Sequence, residues 1–373
     1  LNAGTLREAA IAGGRYLVEH MAPNGRYIYL SNLVTGRDSD PTKGAYSLPR
    51  HAGTTYFLAE LYRLTKAPFL VEPIERAIGH LADLVAAANC RGTTKTGASF
   101  VCVADRGRDT SDLGSTALAV VALAEYKRAS GNDRFDSLLI EMAEFLLHMQ
   151  KTDGSFAHRY RLSTQSIDPE TELLYYSGEA ALALARVFVV TGEERYLRAT
   201  ERGLDWLVNW YDFFVGGFFY GEEHWTCIAA EAISASLYKE KYWEFCSGYG
   251  EFLRSHQPMP GEFQDQKDWA GAYYFTPFLA PQNTPAGSRT EAMISTYLLG
   301  KTHGHDSPQL LQQIKSAMSY TLTQQVRADG LFRARRGKET LGAMPGSPID
   351  RSVRIDYVQH VGSAMIRSAA LIE

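Results

Sequence analysis

Scarcities narrow the possibilities for this chain before any motif does. No apolar run approaches the roughly 20 residues needed to cross a bilayer, so no membrane span is expected. A net charge of −4 over 373 residues offers no basic surface for nucleic acid. Stretches rich in Pro, Gly and Ser that would mark a linker are missing. Residues 1–373 therefore read as one domain, although length alone would suggest two or three. No signal-like segment is present and the chain begins at Leu1. A mature form and a domain of a longer protein both remain open, and the compartment is unreadable. Cysteines are few, at four. Cys90 and Cys102 flank a Gly/Thr-rich turn and would bridge a hairpin in an exported protein; otherwise they are neighbours by chance. Cys246 lies among aromatics and reads as packing.

What is abundant is a helical hairpin, repeated. From Tyr176, the segment YSGEAALALARVFVVTG is apolar on almost every face, the pattern of a buried helix. Thr191-Gly192 stops it. The following GEERYLRATERGLDWLVNW spaces Tyr196, Ala199, Gly203, Trp206 and Leu207 at helical spacing with Arg and Glu between, as in a helix with a wet side. Similar buried helices open near Arg50, Asp112, Tyr176, His224, Arg289 and Arg354, at spacings of 62, 64, 48, 65 and 65 residues. Outer helices fit at 5–22, 70–88, 134–150, 195–211, 241–256 and 307–325, several followed by a Gly-aromatic turn such as Gly25-Arg26-Tyr27, Gly154-Ser155-Phe156, Gly217-Phe218-Phe219 and Gly330-Leu331-Phe332. A hairpin cannot bury its apolar face alone, so six of them stack as a solenoid or close on themselves. The inner helices are too apolar to line an open groove. The expectation is an all-α fold, an (α/α)6 toroid of six helical hairpins.

That topology says where chemistry would sit. Long aromatic-bearing loops join each outer helix to the next inner helix, and all fall on one face. The mouth there is ringed by inner-helix N-termini, whose free N–H groups favour oxygen-rich or anionic ligands. Every hairpin places polar residues at this mouth, and unpaired buried charge is costly in an ordinary core. Asp112 reads as a cap. His224 and His360 arrive from separate hairpins and suit proton transfer, since imidazole titrates near neutrality. Glu179 and Glu291 would orient a hydroxyl or tune a histidine. Arg50, His51, Tyr176, Trp225, Arg289, Arg354 and Asp356 would hold substrate, the arginines facing any negative charge that develops on it.

At Arg50, His224 and His360 the chain resembles, in layout, the N-acylglucosamine 2-epimerase and cellobiose 2-epimerase superfamily. That family is an (α/α)6 barrel with an Arg on the first inner helix and two catalytic histidines on late ones. The resemblance implies a carbohydrate-active enzyme, a sugar epimerase or isomerase working on a small-molecule or oligosaccharide substrate without a cofactor. Cys227 stands where the family carries a Glu, three residues after the histidine. His224, Cys227 and His360, with His51 as a further donor, open an alternative: a zinc site, as in the lanthionine cyclases, which are also toroids. Gln150-Lys-Thr-Asp-Gly154-Ser-Phe156 resembles a terpene-cyclase repeat motif and reads as a turn signature. Asp109 or Asp112 with Glu179 or Glu222 would be the pair for a glycoside hydrolase or polysaccharide lyase. A saccharide-binding toroid without chemistry completes the range.

Overall fold

The structure is a computed structural model that describes residues 1–210, 223–262, 268–275 and 279–372. The Gly217–Phe219 turn and Glu222 lie outside the described residues.

Among the described residues, twelve α-helices alternate between two concentric layers. The inner layer is α2 (Leu48–Thr65), α4 (Leu113–Ser130), α6 (Tyr176–Thr191), α8 (Glu223–Ile233), α10 (Asn283–Thr302) and α12 (Ile355–Ile372). The outer layer is α1 (Ala3–Glu19), α3 (Val71–Ala88), α5 (Asp136–Met149), α7 (Glu194–Trp210), α9 (Glu240–Arg254) and α11 (Pro308–Gln324). Each inner helix packs on both inner neighbours, and α12 packs on α2, which closes the ring. Outer helices back the inner helix that precedes them; α1, at the chain start, packs against α12 at the chain end. The last hairpin is thus assembled from the two ends of the chain, and no local segment can form it alone.

Residue chemistry accounts for the layering. Every residue of α4 from Leu113 to Tyr126 is buried, as a helix enclosed by neighbours requires. In α7 only Tyr196, Leu197, Ala199, Thr200, Gly203, Leu204 and Leu207 are buried, the single stripe of an amphipathic helix. Three inner helices end on left-handed caps, with Lys66 after α2 and glycines after α4 and α6.

Among the described residues, seven three-residue strands depart from a purely helical reading. Each is a pairing between loops, too short to show period-two alternation. β1 (Leu30–Asn32) pairs antiparallel with β7 (Ser352–Arg354), placing Leu30 opposite Arg354 and tying the first mouth loop to the last. β2 (Arg91–Thr93) and β3 (Ser99–Val101) form a hairpin closed by the Cys90–Cys102 disulfide. β4 (Thr110–Asp112), β5 (Arg159–Arg161) and β6 (Ser166–Asp168) join the loops before α4 and α6.

At the end of the barrel opposite the mouth, inner-helix residues pair with one another. Glu125 accepts from Arg63 and, at 3.0 Å, from Arg128; Arg367 donates to Ser295 at 2.6 Å, and Glu60 accepts from Ser363 at 2.5 Å. Ion pairs and hydrogen bonds thus link the inner helices at that end.

Candidate active site

A cavity of about 700 Å³ occupies the mouth, centred on the barrel axis. Arg50, Tyr176, Glu179, His224, Trp225, Arg289, Arg354, Asp356 and His360 all line it. They come from five inner helices, and from the strand preceding α12.

The histidines form its centre. His224, from the first turn of α8, and His360, from the second turn of α12, meet edge to face with ring centroids 5.6 Å apart. Trp225 packs on both, at 4.3 Å from His224 and 5.9 Å from His360. Behind His360 stands Glu291, fully buried and outside the cavity lining, whose Oε2 accepts a hydrogen bond from His360 Nδ1 at 2.6 Å. A carboxylate can only accept, so the contact places a proton on Nδ1 and leaves Nε2 to face a ligand. Gly287 makes this geometry possible. A Cβ there would lie 2.6 Å from the backbone carbon of His360, so only glycine lets α10 come close enough to α12 for Glu291, one turn later, to reach the ring.

The arginines are organised through Asp356. Arg354 donates to both its oxygens, at 2.5 and 2.9 Å, and Arg50 Nε lies 3.3 Å from Oδ2. Arg50 also donates to Tyr29 Oη at 2.7 Å. Two guanidiniums sharing one carboxylate leave a net positive edge on the cavity. The Asp356 contact holds the Arg354 guanidinium above its ordinary value, against the opposing effect of burial. On the far side, burial and the nearby Glu179 raise the Tyr176 hydroxyl, which stays protonated as a donor. Tyr175, beside it, is in the left-handed region at φ 74° and partly exposed, with its ring 6.3 Å from that of His224. Non-glycine residues in this conformation cluster at ligand sites.

Three expectations are corrected. His51 does not reach the cavity: it is fully buried, its Nε2 donating to Ala77 O at 3.0 Å and its Nδ1 accepting from Tyr46 Oη at 2.7 Å. One step along a helix turns the side chain by about 100°, so Arg50 faces the mouth while its neighbour faces α3. Cys227 cannot serve as a thiolate ligand, since it is bonded to Cys246, which joins α8 to α9. Cys246 is correspondingly a cross-link rather than packing. Asp109 accepts from Ser163 and Asp112 from Arg159 at 2.7 Å, both outside the cavity lining, so of the carboxylates considered for a hydrolytic pair only Glu179 lines it among the described residues.

The first turn of α10 was not legible as lining. Gln282, Thr284, Pro285 and Ser288 all border the cavity, because α10 starts six residues before Arg289. Pro285 in the opening turn was the available signal, since proline is tolerated there and not deeper.

No family model matches the sequence, and no curated protein does. Solved structures do. The chain has the (α/α)6 toroid fold. It is similar to a D-mannose isomerase (TM-score 0.72, 12% identity, covering 99% of this chain and 97% of that one). It is also similar to the cellobiose 2-epimerase of Bacillus thermoamylovorans (0.70, 10%, 96% of each chain) and to a family 76 α-mannanase of Bacteroides thetaiotaomicron (0.64, 12%, 100% and 96%). At these identities the likeness establishes the architecture alone. No helix among the described residues is long and apolar enough to cross a membrane.

Proposed function

We propose that the protein is a carbohydrate-active enzyme that moves a proton next to a sugar carbonyl, as an aldose–ketose isomerase or 2-epimerase. The observation that carries this reading is the His224–His360 pair with Glu291 behind it. One imidazole takes the C2 proton of an open-chain aldose, and the electron pair moves into the C1–C2 bond as the carbonyl oxygen gains negative charge. Arg50 and Arg354 border the cavity where that charge can be met. Return of the proton to C1, with transfer of the O2 proton to O1, yields the ketose; return to C2 on the opposite face, with the carbonyl re-formed at C1, yields the epimer. The names of the neighbours, a D-mannose isomerase and a cellobiose 2-epimerase among them, agree with this chemistry.

Geometry favours isomerisation of the two. Rings touching edge to face at 5.6 Å leave no room for a carbon chain between them. Two nitrogens attacking one carbon from opposite faces, each about 3–3.5 Å away, stand about 6–7 Å apart with the substrate in between. The ligand atoms of His224 and His360 lie within 4.8 Å of one another, closer than that, which favours approach from one side and transfer between C1 and C2 on a single face. The test is incubation with reducing aldoses and disaccharides, D-mannose and cellobiose included, in D2O with NMR detection. Deuterium at C1 of a ketose product supports isomerisation, deuterium at C2 of an epimer supports epimerisation, and no exchange with any sugar removes the reading.

A zinc site remains as a second reading because His224, Glu291 and His360 offer ligand atoms within 4.8 Å of one another. Two His and one Glu make a catalytic zinc set. Stoichiometric zinc in the purified protein, and loss of activity on chelation, would favour it over unassisted proton transfer.

A further inference from the structure

A second cavity, of about 770 Å³, lies beside the first on the same mouth. Its floor is the last turns of α11, its outer rim is residues 327–333, and its inner wall is the segment 348–351 that leads into β7. The two cavities share a partition. Tyr320, on the cleft side, donates from its hydroxyl to Asn283 Oδ1 at 2.9 Å, and the residues flanking Asn283, Gln282 and Thr284, line the central cavity. Arg351 of the cleft is three residues ahead of Arg354 of the central site.

The cleft has an unusual charge arrangement. Arg327, Arg333 and Arg351 all border it, and none of the three forms an ion pair among the described residues. Asp268 and Asp329, also at the rim, pair with none of them. Partial burial, with the nearby cation Arg333 adding to it, pulls the Arg351 guanidinium below its ordinary value. A partly buried cation with an exposed cation nearby is unfavourable unless an anion sits between them. Forked guanidiniums bind carboxylate and sulfate groups in a fixed plane. The aromatics are equally exposed to need. Phe332 is 80% exposed at the rim, its ring 5.2 Å from the Arg333 guanidinium, and Trp269 stands in the lining, edge-on to Tyr274 at 6.1 Å. A solvent-facing aromatic gains by covering its face with another apolar surface, and the C–H face of a pyranose supplies one.

We propose that this cleft is an accessory binding site for an anionic saccharide, in which Arg333 and Arg351 hold a carboxylate or sulfate group while Phe332 and Trp269 cover the sugar ring. The site does not depend on the reaction proposed for the central cavity, and its test does not use turnover.

Isothermal titration of the full chain with three trisaccharides decides it: one of galacturonic acid, one sulfated, and neutral mannotriose. At least one anionic ligand is expected to bind, with affinity that weakens between about 50 and about 500 mM salt, and mannotriose is expected to bind at least about tenfold more weakly. The tighter of the two anionic ligands identifies the natural group. Arg351→Ala and Arg333→Ala should each weaken binding about tenfold or more, and so should Phe332→Ala, whose exposed ring contributes nothing to folding. His360→Asn and Arg50→Ala, in the central cavity, should leave it unchanged. Equal affinity for mannotriose, unchanged affinity in the Arg351→Ala and Phe332→Ala variants, loss of binding only in the central-cavity variants, or no heat from either anionic ligand at about 1 mM overturns the proposal.

Discussion

Glu291 Oε2 sits 2.6 Å from His360 Nδ1, across the interface of two inner helices that a single glycine lets approach. The carboxylate orients the ring, and under the proposed mechanism it would stabilise the imidazolium formed when His360 accepts a proton. His360→Asn should keep the fold and lower turnover by roughly 10²–10⁴-fold, the usual worth of general acid–base help. Glu291→Gln, which retains the shape and removes the charge, should cost roughly 10–100-fold, mainly in kcat. Circular dichroism of both variants beside steady-state kinetics checks this; wild-type kcat in either one removes the pair from the mechanism.

Close helix contacts at the mouth should tolerate no added bulk. At Gly178 a Cβ would lie 3.1 Å from Trp225 Cβ, and at Gly287 it would meet the His360 backbone at 2.6 Å. Gly178→Leu is expected to destabilise the protein by about 1–3 kcal/mol or more. Gly287→Ala should lower both Tm and turnover, because the obstacle is backbone that cannot rotate away. Thermal unfolding monitored at 222 nm, with parallel activity measurements, gives the answer; an unchanged Tm for Gly178→Leu would mean that α6 does not pack as described.

Stability should fall in mild acid through buried histidines. Burial, with His80 nearby, holds His51 down to about 3, and burial holds His158 down to about 4. Folded, both stay neutral at pH 5, whereas in the unfolded chain they take up protons below about 6.5. The unfolded state then binds more protons, so their contribution is complete above pH 6.5 and is lost as pH falls toward the folded values. The slope is about 1.4 kcal/mol per pH unit for each group. Urea unfolding at pH 7, 6 and 5 should show the decline, and His51→Gln should make it shallower. An equal slope in the variant would rule out His51 as a source.

Cys227 should matter to stability and not to metal. Its bond to Cys246 closes a separation of 19 residues between α8 and α9, worth about 2–4 kcal/mol. Cys227→Ala or a reductant should lower Tm while leaving any bound zinc in place. Zinc lost from Cys227→Ala at unchanged Tm would restore the cysteine as a ligand.

Much of the architecture is legible without coordinates. A buried helix such as Leu113–Ser130 and a one-sided helix such as Glu194–Trp210 differ in composition around the helix, and that difference is local, so twelve helices in two layers can be read from apolar periodicity alone. His224, His360, Arg50 and Arg354 are likewise placed at one mouth by topology, because each lies at or near the start of an inner helix. Ring closure is not local. It requires α12 on α2 and α1 on α12, contacts between segments hundreds of residues apart that no periodicity encodes. The same is true of rotation about a helix axis: Arg50 and His51 are adjacent in sequence, and only the packing of α2 against α3 determines which one enters the cavity. Pairing was decided at that level too, since Cys227 is a turn from His224 in the chain but its sulfur is taken by Cys246 on the outer layer. Local pattern fixes which face of a helix is apolar; its partner, its phase and the side chains that meet in a site depend on contacts between distant parts of the chain.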